Sequence, residues 1–364
     1  MKKISSKHFI LFIIGATLIS LKTYSSIFIN FGGRDTWLIA IFACIIFTAF
    51  LTYITNISLT TNTFDIRDIF IQAAPRFISI ILIGLYTIAL FINALEAASV
   101  EISALHSTIF IDTPVWYALI FFLFPSFFIL NKNLRTVLIF VLVSVFALLL
   151  NGIIFLALAQ PYKEVTQLLP VLGSGFPKNY YTALFSILGA LSCFMIIAPF
   201  LKYVIDHENL SKNNLYAAGI VSVFVILSFI GIITAFGPER GKNLFYPEFI
   251  LGQRIKLGGF IEFGELFFIN QTVIGFFIKY ILSTYSILNL HAKYIKTKPL
   301  FIGIYSFIIF ALATFIGQNN YILYFSLKNL QLINLVIFFI IPVITYTIYL
   351  IKYKNNSKST KFSE

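Results

Sequence analysis

Residues 9–28 read FILFIIGATLISLKTYSSIF, and this stretch decides the class of the molecule. It is about as long as the ~20 residues an α-helix needs to cross the hydrocarbon core of a bilayer. The first half is apolar, and the second half carries Ser20, Lys22, Thr23, Tyr24, Ser25 and Ser26. The basic run ahead of it is short and no small-residue cleavage site closes it, so the segment reads as a helix that stays in place, not as a signal peptide.

Nine further apolar stretches of similar kind follow it. They run roughly over Trp37–Ile57, Phe77–Val100, Val115–Leu130, Val137–Ala159, Tyr181–Leu201, Leu215–Phe236, Leu266–Leu288, Phe301–Gly317 and Leu332–Leu350. The whole chain is 59% hydrophobic and 11% charged, with 43 Phe and a mean hydropathy of +0.93. A soluble domain carries roughly 25% charged residues, so a water-soluble globular fold and a disordered chain are both excluded. The expectation is an all-α integral membrane protein of ten transmembrane helices. Residues 1–354 form one transmembrane domain, and 355–364 form a polar cytoplasmic tail.

The net charge of +12 is read by position. Sixteen of the 26 basic residues fall on the segments that lie, with both termini, on one side of a ten-span layout, and eight fall on the other side. Basic residues stay cytoplasmic, which places both termini inside. Lys352, Lys354, Lys358 and Lys361 are an orientation signal and a solvated end, so no nucleic-acid partner is expected. Two connections are more than turns. Residues 58–76 read as a short amphipathic helix on the cytoplasmic face. Residues 237–264 form a longer external segment, read either as an interfacial helix or as a partner-contact surface.

Ten spans divide into five plus five, with halves at about 8–160 and 178–352, which invites an inverted repeat with broken helices at matched points. The first span carries Ile14-Gly15-Ala16-Thr17-Leu18. The sixth carries Leu188-Gly189-Ala190-Leu191-Ser192, followed by Pro199. Glycine at such points either opens the backbone around a ligand or lets two helices pack closely. Ionisable residues at membrane depth add a second signal, because they usually face a polar interior or pair with each other. Lys22 and Glu96 are read as a mutually neutralising pair and as candidates for ion or proton coupling. Glu101 is read as hydrated at the external boundary, and Lys279 as snorkelling. Asn93, Ser192, Ser283, Thr284 and Ser286 place polar groups on the third, sixth and eighth spans. Each alone is more easily a helix-bonded side chain than a ligand contact.

Chemistry beyond binding finds no support. Cys44 and Cys193 lie within apolar runs, and His8, His106, His207 and His291 are scattered, so neither a disulfide framework nor a metal site is expected. Catalytic motifs are missing, and the acid pair Glu262 and Glu265 reads as a helix N-terminus. The expectation is a protein without cofactor or enzymatic role.

Taken in order, IIGATLISL, GGRDTWLIAIF, the Glu-containing end of the third span before IDTPVW, QLLPVLGSG, and AFGPERGKNLFYPEFILGQRIKLGGFIEFGELFFI resemble the spore germination permeases. These are the integral-membrane B subunits of nutrient germinant receptors. The resemblance implies the amino acid–polyamine–organocation transporter fold, with broken helices 1 and 6 and a pocket between helices 1, 3, 6 and 8. Gly15 matches the glycine of the family's helix 1 motif, and Gly189 stands where the helix 6 break is expected. The residues placed at the pocket are Gly15, Ala16, Thr17, Asn93, Gly189, Ser192 and Thr284. The chain departs from the family pattern at Lys22, where proline is usual, and at Val100, where a basic residue is common. The implied function is a germinant-receptor subunit that binds a small nutrient, expected to be an amino acid, and triggers germination with A and C subunits in the inner spore membrane. The other reading is an autonomous proton- or cation-coupled amino acid transporter.

Overall fold

The computed structural model describes residues 4–173, 175, 179–257 and 261–361, and their side chains apart from those of 257, 261, 262 and 357–361. Ser174 of the QLLPVLGSG segment and Gly258, Gly259 and Phe260 of the Gly-Gly-Phe-Ile-Glu turn lie outside these described residues, as does the side chain of Glu262. Fourteen α-helices follow one another: α1 Ser6–Thr23, α2 Ser25–Gly32, α3 Thr36–Thr61, α4 Ile66–Ala73, α5 Arg76–Thr108, α6 Val115–Asn131 and α7 Leu134–Leu158, then α8 Tyr180–Leu191, α9 Leu210–Gly241, α10 Pro247–Arg254, α11 Glu265–Leu290, α12 Lys298–Gly317, α13 Asn320–Asn334 and α14 Ile341–Lys361. A 3₁₀ segment, Ser192–Tyr203, continues α8, and a π turn, Leu335–Ile340, joins α13 to α14. The strands are two residues each, β1 Lys256–Leu257 and β2 Ile261–Glu262, paired antiparallel. Among the described residues, nine helical stretches are long and apolar enough to cross a membrane, and the 17-residue α6 is a shorter apolar helix beside them. The protein is a multi-pass membrane protein.

Helix limits follow local chemistry. Asp65, Asn133 and Asn319 accept backbone N–H groups at the starts of α4, α7 and α13, the donors a helix otherwise leaves unpaired. Pro75 and Pro114 stand immediately before α5 and α6. Three expectations are corrected. The first span is interrupted at Tyr24 (φ −117°, ψ 45°), while Gly15 sits in regular helix. The third span continues eight residues past Val100, so Glu101 lies inside α5 and is buried. The tenth begins at Asn320, not Leu332, because its polar Gln331 and Asn334 lower the local hydropathy yet point inward.

Contacts place both ends of the chain at one end of the bundle. Ile4 pairs with Val204 in parallel, Lys202 and Asp65 form an ion pair at 2.9 Å, and Lys352 donates to the carbonyls of Gln72 and Ala73. Asp206 accepts from the hydroxyls of Ser5 and Ser6 and from the Ser6 N–H at the start of α1. The short helix expected within 58–76 is α4, whose apolar Ile66, Ile69, Phe70 and Ala73 are buried. At the opposite end, Gly237 takes φ +69° and Pro238 follows, which kinks α9. Proline lacks an N–H, so the Thr234 carbonyl four residues earlier loses its helical donor. The Glu164 N–H takes that place at 2.9 Å, and Arg254 donates to the neighbouring Ala235 carbonyl at 3.1 Å. The kink thereby returns the chain over the bundle, and α10 packs inward with Glu248, Phe249 and Leu251 buried. The 237–264 connection therefore does not lie flat as an interfacial helix.

Candidate functional site

Two buried polar clusters flank the first span on opposite faces. Ser20 and Tyr24 are four residues apart and share one face of the helix. Both hydroxyls donate to Glu96 Oε1 of α5, each at 2.7 Å. Lys279 of α11 donates to Glu96 Oε2 at 2.6 Å and to Ser20 Oγ at 2.8 Å. Gln331 of α13 donates to the Tyr24 hydroxyl at 3.2 Å. Glu96 is 4% exposed and Lys279 is 0% exposed. Charge at that depth survives only when paired and hydrogen-bonded, and here both conditions are met. One turn earlier on α5, Asn93 donates to Asn334 Oδ1 at 2.8 Å, and Cys193 Sγ lies 3.3 Å from Asn93 Oδ1. This inner cluster draws on the first, third, sixth, eighth and tenth spans.

The second cluster belongs to Lys22. Two residues from Ser20 is about 200° around a helix, so Lys22 faces away from Glu96. Its Nζ donates to Gln271 Oε1 of α11 at 2.8 Å and lies 3.8 Å from Glu248 Oε1 of α10. Gln271 in turn donates to Glu248 Oε2 at 2.8 Å, and Ser228 of α9 donates to Oε1 at 3.2 Å. Gln271 thus bridges the lysine to its counter-charge. Lys163, in the loop after α7, is half-buried; burial lowers its pKa, and the Glu248 charge opposes that shift. The expected Lys22–Glu96 pair is replaced by Glu96–Lys279 and Lys22–Glu248, and Lys279 does not snorkel.

The other expected site residues divide. Asn93 joins the inner cluster. Thr17 and Ser192 return their hydroxyls to the carbonyls of Ile13 and Leu188 on their own helices, at 2.7 and 2.6 Å. Thr284 lies 3.5 Å from the Tyr305 hydroxyl, and Ala16 is buried in the core. Gly15 permits close packing: a Cβ there would stand 2.6 Å from Ile278 Cγ2. At Gly189 a Cβ would run into the backbone carbonyl of Gln331, so this glycine seats α8 against α13 beside the inner cluster. In the sixth span Pro199 lies inside the 3₁₀ segment, where it leaves the carbonyl three residues earlier, Ile196, without a donor. Ser286 supplies one at 2.5 Å, and the Tyr86 hydroxyl donates to the neighbouring Met195 carbonyl. The opened backbone is satisfied by neighbouring side chains, as membrane depth requires.

Sequence reading missed Glu248, Gln271, Cys193, Gln331 and Asn334. Glu248 had a signal, as an acid after Pro247 within an otherwise aromatic run; Gln331 and Asn334, three apart, form one polar face of an apolar span. Cys193 and Gln271 carry no pattern that sets them apart.

A polytopic helical bundle with charged groups paired at membrane depth defines a permease-like membrane protein. The family model described as "Spore germination protein" matches residues 4–322, and the chain belongs to that family. No curated protein matches the chain. Gln331 and Asn334 lie beyond the matched stretch.

Proposed function

We propose that this chain is the integral-membrane subunit of a spore nutrient germinant receptor, and that the inner cluster takes a small zwitterion such as an amino acid. One observation carries the reading. Within one turn of Tyr24, Glu96 and Lys279 on their own segments are buried hydroxyls without a hydrogen-bond partner: Thr23 and Ser25 beside Tyr24, Ser99 after Glu96, and Ser283 after Lys279. An unsatisfied buried polar group costs about 1–3 kcal/mol, so unused donors at one place mark a site for a polar guest. An amino acid carries both charges of the pair it would meet: its ammonium matches Glu96 and its carboxylate matches Lys279.

The side chains are in direct contact, so a ligand enters by separating α5 from α11 at this point. That separation is the conformational change available for signalling, because a ligand shifts an equilibrium only by its differential affinity for the two states. Partner A and C subunits would read the change, in the inner spore membrane, with both termini cytoplasmic as the basic-residue asymmetry favours. The irregular points at Tyr24 and Ser192 occupy the first span of each half and support two inverted halves, 8–160 and 178–352, with broken helices 1 and 6. The second reading, an autonomous proton- or cation-coupled amino acid transporter, draws on Lys22, whose ion pair is held at 3.8 Å through Gln271.

Spores carrying Glu96→Gln together with Lys279→Met, which leaves no uncompensated buried charge, should make the protein at normal level yet lose the nutrient response. The purified chain alone in vesicles should show no concentrative amino acid uptake. Concentrative uptake would establish the transporter, and an unchanged nutrient response in the double-variant spores would move the site elsewhere.

A further inference from the structure

Glu101 stands apart from both clusters. It is 4% exposed, and its Oε2 is buried with no hydrogen-bond partner. It lines a cleft of about 410 Å³ between α5, α6 and α11, together with Leu105, Phe110, Thr113, Tyr117, Phe121 and Phe122. Three rings of the lining are exposed: Phe110 in the turn after α5, and Tyr117 and Phe121 on α6, whose outer surface is apolar. His106 does not serve as the missing partner, since its Nδ1 lies against the carbonyls of Phe110 and Thr113. Glu101 lies seven residues before the end of α5, about 10 Å along the axis, at the end of the bundle away from the termini.

A buried carboxyl without a donor avoids an unpaired charge by keeping its proton or by holding a cation. The lining selects the cation. Calcium or magnesium takes six or more oxygens, and beyond Glu101 the side chains here offer only the hydroxyls of Thr113 and Tyr117. Aromatic faces around a carboxyl suit an organic ammonium, attracted by the rings and neutralised by the acid. The apolar remainder of the wall suits an alkyl chain.

We propose that this cleft is a second site, separate from the Glu96–Lys279 cluster, that binds an alkyl primary ammonium entering from the bilayer with its charge on Glu101. Two sources share that chemistry, a free long-chain amine and the headgroup of phosphatidylethanolamine.

The test uses the full chain in phosphatidylcholine nanodiscs and a hydrophobic carbodiimide, dicyclohexylcarbodiimide, which labels carboxyl groups in apolar surroundings. The label assigned to Glu101 is the part lost in Glu101→Gln. Loss of the free Glu101 carboxyl, read by mass spectrometry so that any amide formed with the amine counts as reacted, should slow at least fivefold with dodecylamine and not with dodecanol of equal length. Slowing in phosphatidylethanolamine nanodiscs without added amine assigns the headgroup as the source, and slowing by dodecylamine only assigns the free amine. Tyr117→Leu keeps the carboxyl and removes one ring, so protection should need a several-fold higher amine concentration. Equal protection by dodecanol, or protection by neither amine source, overturns the site.

Discussion

The two ion pairs on either face of the first span solve the same problem in different ways. Glu96 and Lys279 meet directly at 2.6 Å, and both stand on long helices that cross the bundle. Lys22 and Glu248 are 3.8 Å apart, share Gln271 as a bridge, and the acid stands on α10, an eight-residue helix within a connection. In the first case the charge is locked by the framework. In the second it is closed by a returning segment, which has fewer contacts to lose if it moves. Both pairs are buried, so what separates them is the support of the acid: a bundle-crossing helix for Glu96 and a short returning helix for Glu248.

The largest expected effect comes from breaking the inner pair on one side only. Lys279→Met leaves Glu96 buried without its counter-charge and should destabilise the purified protein by about 3–5 kcal/mol in thermal or denaturant unfolding. Adding Glu96→Gln should recover most of that loss, because no uncompensated charge remains. Equal losses in the single and double variants would break the contrast, since the pair would then matter only through packing. Next comes Gly189→Val. Its added carbon meets backbone, which cannot rotate aside, so the loss should reach or exceed the upper end of the usual ~1–3 kcal/mol for overpacking. Gly15→Val meets side chains alone, Ile278 at 2.6 Å and Val145 at 3.3 Å, and should cost less in the same assay.

Lys22→Met removes the cation of the outer pair. Glu248 keeps Ser228, Gln271 and the nearby Lys163, so the loss should stay near 1–2 kcal/mol, well below that of Lys279→Met. Hydrogen exchange should rise chiefly in α10. A loss equal to that of Lys279→Met would make the outer pair part of the framework.

The smallest effect concerns the end where the termini meet. Burial alone would raise the Asp206 pKa, but hydrogen bonds from Ser6 and Ser5 outweigh it and hold the carboxyl below its ordinary value. A depressed carboxylate contributes its stability above the ordinary range and loses it as pH falls through the lowered value. The protection of the first-turn amides of α1, taken relative to the intrinsic exchange rate at each pH, should therefore fall toward acid and stay flat from neutral pH upward. Asp206→Asn should remove that acid dependence.

Much of the fold was legible in the sequence, because hydropathy and length report what the bilayer demands of each segment. The short helix in 58–76 and the convergence of polar groups from the first, third and eighth spans were readable for the same reason. Partner choice was not. Lys22 and Glu96 looked complementary in a linear list, yet Ser20 and Tyr24, spaced four apart, already claim the face toward Glu96. Applying helical phase to Lys22 would have turned it away. Glu248 was hidden because a loop helix folding into the bundle depends on the Gly237–Pro238 kink, a tertiary consequence that no local pattern states. The start of the tenth span was misplaced because inward polar residues resemble a connection when only mean hydropathy is read.

The most direct test of the inner cluster as the ligand site is calorimetric titration of the full chain with an amino acid panel, alongside matched analogues lacking either the ammonium or the carboxylate. Binding should require both charges on one molecule, with at least a tenfold loss of affinity for either analogue, and should vanish in Glu96→Gln. Equal affinity for zwitterion and single-charge analogues, or undiminished binding in Glu96→Gln, would contradict the account.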